Sequence, residues 1–115
     1  MNIEELRDFC KKFPGVKEDI KWEHDLCFCV GKKNFCVTGF TSPLKISLKV
    51  RDEEFDELIE MNGIVPAPYV ARYKCILIED IHVLGKKKLE HYIRQSYELV
   101  KAKLPKKVLK AEGLL

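Results

Sequence analysis

The chain has 115 residues, with 21 Lys and Arg against 18 Asp and Glu for a formal charge of +3, and it is 46% hydrophobic and 34% charged. This is enough for one domain over residues 1–115 that buries a core without disulfides or a metal, which excludes disorder, a collagen-like fibre and a small stapled scaffold. The opening Met1-Asn2-Ile3-Glu4-Glu5 has neither a basic flank nor an apolar core, and nowhere do about 18 apolar residues run together, so neither a signal peptide nor a membrane span is expected and the expected location is cytoplasmic.

From the N-terminus, Asn2 with Glu5 three residues later reads as a capping pair. Leu6, Phe9, Cys10 and Phe13 then recur at helical spacing until Pro14-Gly15 ends the helix. A polar segment holding Trp22 and His24 follows. Leu26 to Val30, the turn Gly31-Lys32-Lys33-Asn34 and Phe35 to Phe40 read as a β-hairpin. With a symmetric four-residue turn, Val30 faces Phe35, Cys29 faces Cys36 and Phe28 faces Val37. One face then carries Leu26, Phe28, Val30, Phe35 and Val37, and the other Cys27, Cys29, Cys36 and Thr38.

Thr41-Ser42-Pro43 is expected to turn the chain into a strand over Lys45 to Val50, where Ile46, Leu48 and Val50 alternate with Lys45, Ser47 and Lys49. Asp52 caps a second, acidic helix with Phe55, Leu58 and Ile59 inward and Gly63 as its stop. Ile64 to Tyr73, with Pro66 and Pro68, is expected to be a loop, and Lys74 to Ile78 a last strand. Leu89, Ile93, Ser96, Tyr97, Val100 and Leu104 mark a helix from about Lys86 to Leu104, closed by Pro105. The order α, three or four strands, α, one or two strands, α predicts an α+β fold: a single antiparallel sheet with the helices packed on one face.

No glycine-rich phosphate loop, nucleophile elbow or zinc-binding helix motif occurs, and His24, His82 and His91 are scattered, so no catalytic residue is assigned and a non-enzymatic role is expected. The five cysteines include no Cys-x-x-Cys pair. In the symmetric hairpin register Cys27, Cys29 and Cys36 share a face, which would suit a soft metal or a cross-strand bridge. No fourth ligand is evident, however, and no cofactor or metal is expected.

Charge is unevenly spread: residues 1–81 hold twelve basic and fifteen acidic side chains, residues 82–115 nine and three. Lys32 and Lys33 sit on the hairpin tip, Lys49 and Arg51 on the outer face of the third strand, and Arg72 and Lys74 before the last. These six are the candidate phosphate contacts. The Lys86-Lys87-Lys88 run lies at the positive end of the last helix, an unfavourable place unless an anion is near.

The chain resembles the MmcQ/YjbR family of small bacterial proteins. The likeness is carried by Phe13-Pro14-Gly15-Val16 with Glu18-Asp19; Phe28, Val30-Gly31-Lys32 and Phe35; Ile46-Ser47-Leu48-Lys49 with Phe55 and Leu58-Ile59; Ile64 to Tyr69 with Ala71-Arg72; and Ser96 to Val100 with Lys103 to Lys107. Two positions depart from the family pattern: Cys75 stands where a tryptophan is common, and Gly85 to Lys88 where acidic residues are expected. The resemblance implies a bent antiparallel sheet against helices, a fold shared with secretion chaperones, and double-stranded DNA binding through wing-like hairpins. Two alternatives are a protein-interaction module using the exposed sheet face and a cysteine-based redox or metal protein. A monomer is expected.

Overall fold

The computed structural model describes residues 1–21, 23–40 and 43–114. Trp22 and the Thr41-Ser42 part of the expected turn lie outside the described residues. Helix α1 (Ile3–Lys11) begins on the expected capping box: the Asn2 side chain accepts from Glu5 N–H at 2.9 Å, and the Glu5 carboxylate accepts from Asn2 N–H at 3.3 Å. Strands β1 (Lys17–Lys21), β2 (Asp25–Val30), β3 (Lys33–Thr38) and β4 (Ile46–Lys49) follow, then α2 (Asp52–Ile59), β5 (Ile64–Pro66), β6 (Cys75–Ile78), α3 (Gly85–Ala102) and α4 (Lys106–Ala111). The sheet is antiparallel throughout, in the order β1-β2-β3-β4-β6-β5.

One core lies between the sheet and the helices. Leu6 of α1, Phe55 and Leu58 of α2, and Leu89, Ile93 and Tyr97 of α3 pack with Phe28, Val30, Ile46, Leu48, Ile76 and Ile78. Ile46, Leu48 and Val50 point inward as their alternation predicts. Tyr97 stacks on Phe13 at 4.9 Å between ring centroids, and its hydroxyl donates to Pro14 C=O at 2.5 Å, tying α3 to the end of α1.

The structure corrects several expectations. The segment Lys17–Lys21 is a strand, paired along its length with β2. It is an edge strand, and its charges serve the edge at the expense of the apolar signal a strand usually shows. Residues 64–66 also pair, at the opposite edge, where Pro66 at the end of β5 costs no ladder bond. Arg51, not Asp52, is the N-cap of α2, and its N–H donates to Glu54 at 3.3 Å. Pro105 ends α3 but also opens α4, a fourth helix.

The largest correction concerns the hairpin. Its turn is two residues, Gly31 at φ +56° and Lys32 at +67°, with Val30 facing Lys33. Two positive φ values give the primed turn that suits strand twist. Phe28 then faces Cys36 while Cys29 faces Asn34, so Phe35 has no partner on β2 and forms a bulge. Phe35 and Cys36 are both buried in the core, as is Thr38 opposite Leu26. Cys27 and Cys29 alternate to the other face of the sheet, so the expected three-cysteine face does not form.

Candidate nucleic-acid interface

The bulge at Phe35 determines what happens at the neighbouring ladder. Strands β3 and β4 pair only from Cys36 to Thr38 against Ile46 to Leu48. Beyond Leu48 the ladder is replaced by a side chain of α3. Lys49 N–H donates to Ser96 Oγ at 2.9 Å, and that hydroxyl donates to Phe35 C=O at 2.5 Å. Ser96 is fully buried. A strand pair that would have been bonded directly is thus bridged from the helix side and held apart.

The opening is a groove of about 460 Å³ between the sheet and the C-terminal end of α3. Val37, Val70, Val100 and Leu104 supply apolar wall, Tyr73 and Cys75 close one end, and Lys33, Lys49 and Lys103 supply the charge. No carboxylate lines it, and among the described residues none of these three lysines is ion-paired. Lys49 Nζ donates to Tyr73 C=O at 2.5 Å, which anchors the lysine at that end. Burial pushes the Cys75 thiol up from its ordinary value, with Lys49 opposing, so Cys75 is a neutral wall residue at neutral pH.

The hairpin turn packs onto the junction of α3 and α4. A Cβ placed on Gly31 would lie 2.7 Å from Leu104 Cδ1 and 3.0 Å from Val108 Cγ1, so both the positive φ and the close approach call for glycine. Lys32 and Lys33 are thereby carried beside a segment holding the exposed Lys103, Lys106 and Lys107. The hairpin is docked along its end and does not project as a free wing.

The six sequence candidates separate. Lys33 and Lys49 line the groove. The Arg72 guanidinium lies over the Tyr73 ring at 4.9 Å, which places it beside the same groove. Lys32 lines a neighbouring depression with Lys17, Lys21, Asp19 and Glu112. Lys74 has Nζ over the Phe55 ring at 5.0 Å, toward α2, and Arg51 caps α2 next to Asp52 and Glu53. Lys103, Lys106 and Lys107 are the residues sequence reasoning left out; the apolar Val108 and Leu109 after Pro105 were the signal that this segment folds back. At the start of α3, Lys86 meets Glu5 of α1 at 3.5 Å, which supplies the anion its position called for.

The cysteines offer no shared centre. Cys36 lies in the core against Cys10, whose hydrogen bond, together with burial, holds the Cys36 thiol well above its ordinary range. Burial also raises Cys27 and Cys29, and Cys29 donates to Asn34 Oδ1 at 2.9 Å.

Among solved structures, Deinococcus radiodurans protein DR2400, described as a DUF419 domain, superposes with a TM-score of 0.88 at 26% identity, covering 99% of this chain and 89% of its own. A protein from Pseudomonas syringae shares the fold with a TM-score of 0.71 at 24% identity, covering 86% of this chain and 98% of that one. No curated protein matches the chain. The YjbR family model matches residues 11–99, a stretch from the end of α1 through most of α3 that includes the bulged hairpin and Ser96, and the chain therefore belongs to the YjbR family.

Proposed function

We propose that this protein is a non-catalytic DNA-binding module that engages the phosphate backbone through the hairpin end and the α3–α4 junction. The observation that carries the reading is the docking of Gly31 on Leu104 and Val108, which joins Lys32 and Lys33 to Lys103, Lys106 and Lys107. Lysine is a point charge on a flexible stem, suited to phosphates without base readout. Lys49 and Arg72 extend the positive surface along the groove, while Arg51 and Lys74, turned toward the acidic α2, contribute little.

Fluorescence anisotropy with unrelated DNA duplexes over a salt series tests this. About four phosphate contacts give a slope near −3.6 in log K against log salt, so a fourfold rise in salt weakens binding on the order of a hundredfold, alike for all sequences. Exchanging Lys33 and Lys103 together for Ala should flatten the slope by about two. Absence of binding at tens of micromolar in low salt, or an unchanged slope in the double variant, rejects the reading and leaves a protein-interaction role for the outer sheet face.

A further inference from the structure

We propose that the groove between β3 and β4 is a binding site for a small amphipathic organic anion, a carboxylate or phosphate head on an apolar body. Its volume of about 460 Å³ falls in the size class of small-molecule sites, roughly 300–1,000 Å³. Its chemistry is divided in the way such a ligand requires. Val37, Val70, Val100 and Leu104 offer apolar surface to a body, and Lys33, Lys49 and Lys103 offer cations to a head, with no carboxylate on the lining to repel it.

The cavity is built into the fold. Its opening depends on the Phe35 bulge and on Ser96, which satisfies Lys49 N–H and Phe35 C=O while keeping the strands apart. A cationic amphiphile would place its charge among three lysines, and a neutral one would leave them unused. The three lysines therefore select an anion. The site shares Lys33 and Lys103 with the proposed DNA surface, but the apolar wall of Val37, Val70, Val100 and Leu104 is what it adds, and DNA binding makes no use of that wall.

Decanoate is the probe. In two-dimensional amide NMR of the intact protein, decanoate should produce saturable shifts at Val37, Val70, Val100 and Leu104, whereas decyltrimethylammonium should not. A Lys33→Ala/Lys103→Ala variant alters two exposed side chains and should keep the native spectrum while binding decanoate about fivefold to tenfold more weakly. Decyl phosphate in place of decanoate reads which head is preferred, and tighter binding of either supports the site. Four results overturn it: no saturation at millimolar decanoate, shifts elsewhere on the surface, equal response to the cationic amphiphile, or inorganic phosphate reproducing the decanoate shifts. No nucleic acid is present in this measurement, so its failure is distinct from a failure of DNA binding.

Discussion

Replacing Ser96 by Ala removes one oxygen and tests how the sheet is held at the groove. In the native protein that oxygen both accepts from Lys49 N–H and donates to Phe35 C=O, and it is fully buried. The variant leaves a donor on β4 and an acceptor on β3 without partners. A buried polar group stranded in this way costs about 1–3 kcal/mol, so the pair should cost about 2–6 kcal/mol, the lower end applying if water enters through the groove. A domain of this kind has roughly 5–15 kcal/mol in total. The loss should lower the melting temperature by on the order of 10 °C. Urea denaturation gives the free energy directly, and amide exchange at Lys49 should accelerate more than at Ser47, two residues earlier on β4. A Ser47→Ala control, on the outer face, should move stability by under about 0.5 kcal/mol. A Ser96→Ala loss no larger than that control would show that β3 and β4 close on each other without the bridge, and the account of the groove would be wrong.

Gly31→Ala should cost about 1–3 kcal/mol and weaken DNA binding, because it forces a Cβ onto Leu104 at a backbone conformation with φ +56°; thermal melting and anisotropy check the two effects together. The Arg7 guanidinium, hydrogen-bonded to Glu18 at 2.8 Å, holds that carboxyl below its ordinary 4.5, assisted by Lys11. A depressed acid contributes stability above its unfolded pKa and loses it as pH falls through the folded value, so Arg7→Met should flatten the stability profile below about pH 4.5 and leave its slope at neutral pH unchanged. Thiol labelling of the native protein should modify Cys75 first, since Cys10, Cys27 and Cys36 are fully buried, and the count should reach five only in denaturant. Equal labelling rates at Cys36 and Cys75 would contradict the corrected register.

How much of this the sequence discloses depends on which physical signal each element carries. The capping box at Asn2, the alternation from Ile46 to Val50 and the stripe from Leu89 to Leu104 are local patterns of burial, and each is found where it is expected. Strand β1 is invisible to that logic because an edge strand with one covered face need not alternate: Glu18 faces inward but is held by Arg7 and Lys11 instead of by apolar contact. Strand β5 is hidden by its proline, and α4 by a proline read as an end when it is also a start. The outward placement of Lys33 and Lys49 along the groove is legible because hairpin tips and outward strand positions are predictable. The placement of Lys103, Lys106 and Lys107 is not, because a basic tail looks the same in solution as against a hairpin until Val108 is placed on Gly31.

The cysteine assignment and the groove turn on the same residue. In a strictly alternating β3, Phe35 and Val37 would point to the core and Cys36 away from it. The two-residue turn instead sets the pairing at Val30 and Lys33, and the extra residue that the bulge absorbs is Phe35. Phe35 and Cys36 can then both enter the core, where Phe35 meets Tyr97 edge-on at 5.4 Å and Cys36 meets Cys10. An added twist at that point carries the first half of β3 away from β4, and the unsatisfied backbone groups this creates require a partner. Ser96 lies within reach because α3 crosses β3 and β4 there with Ile93 and Tyr97 on the same stripe. A serine in an otherwise apolar helix face, one residue before a buried tyrosine, is thus the trace in the sequence of the gap between β3 and β4, and Lys33, Lys49 and Lys103 line that gap.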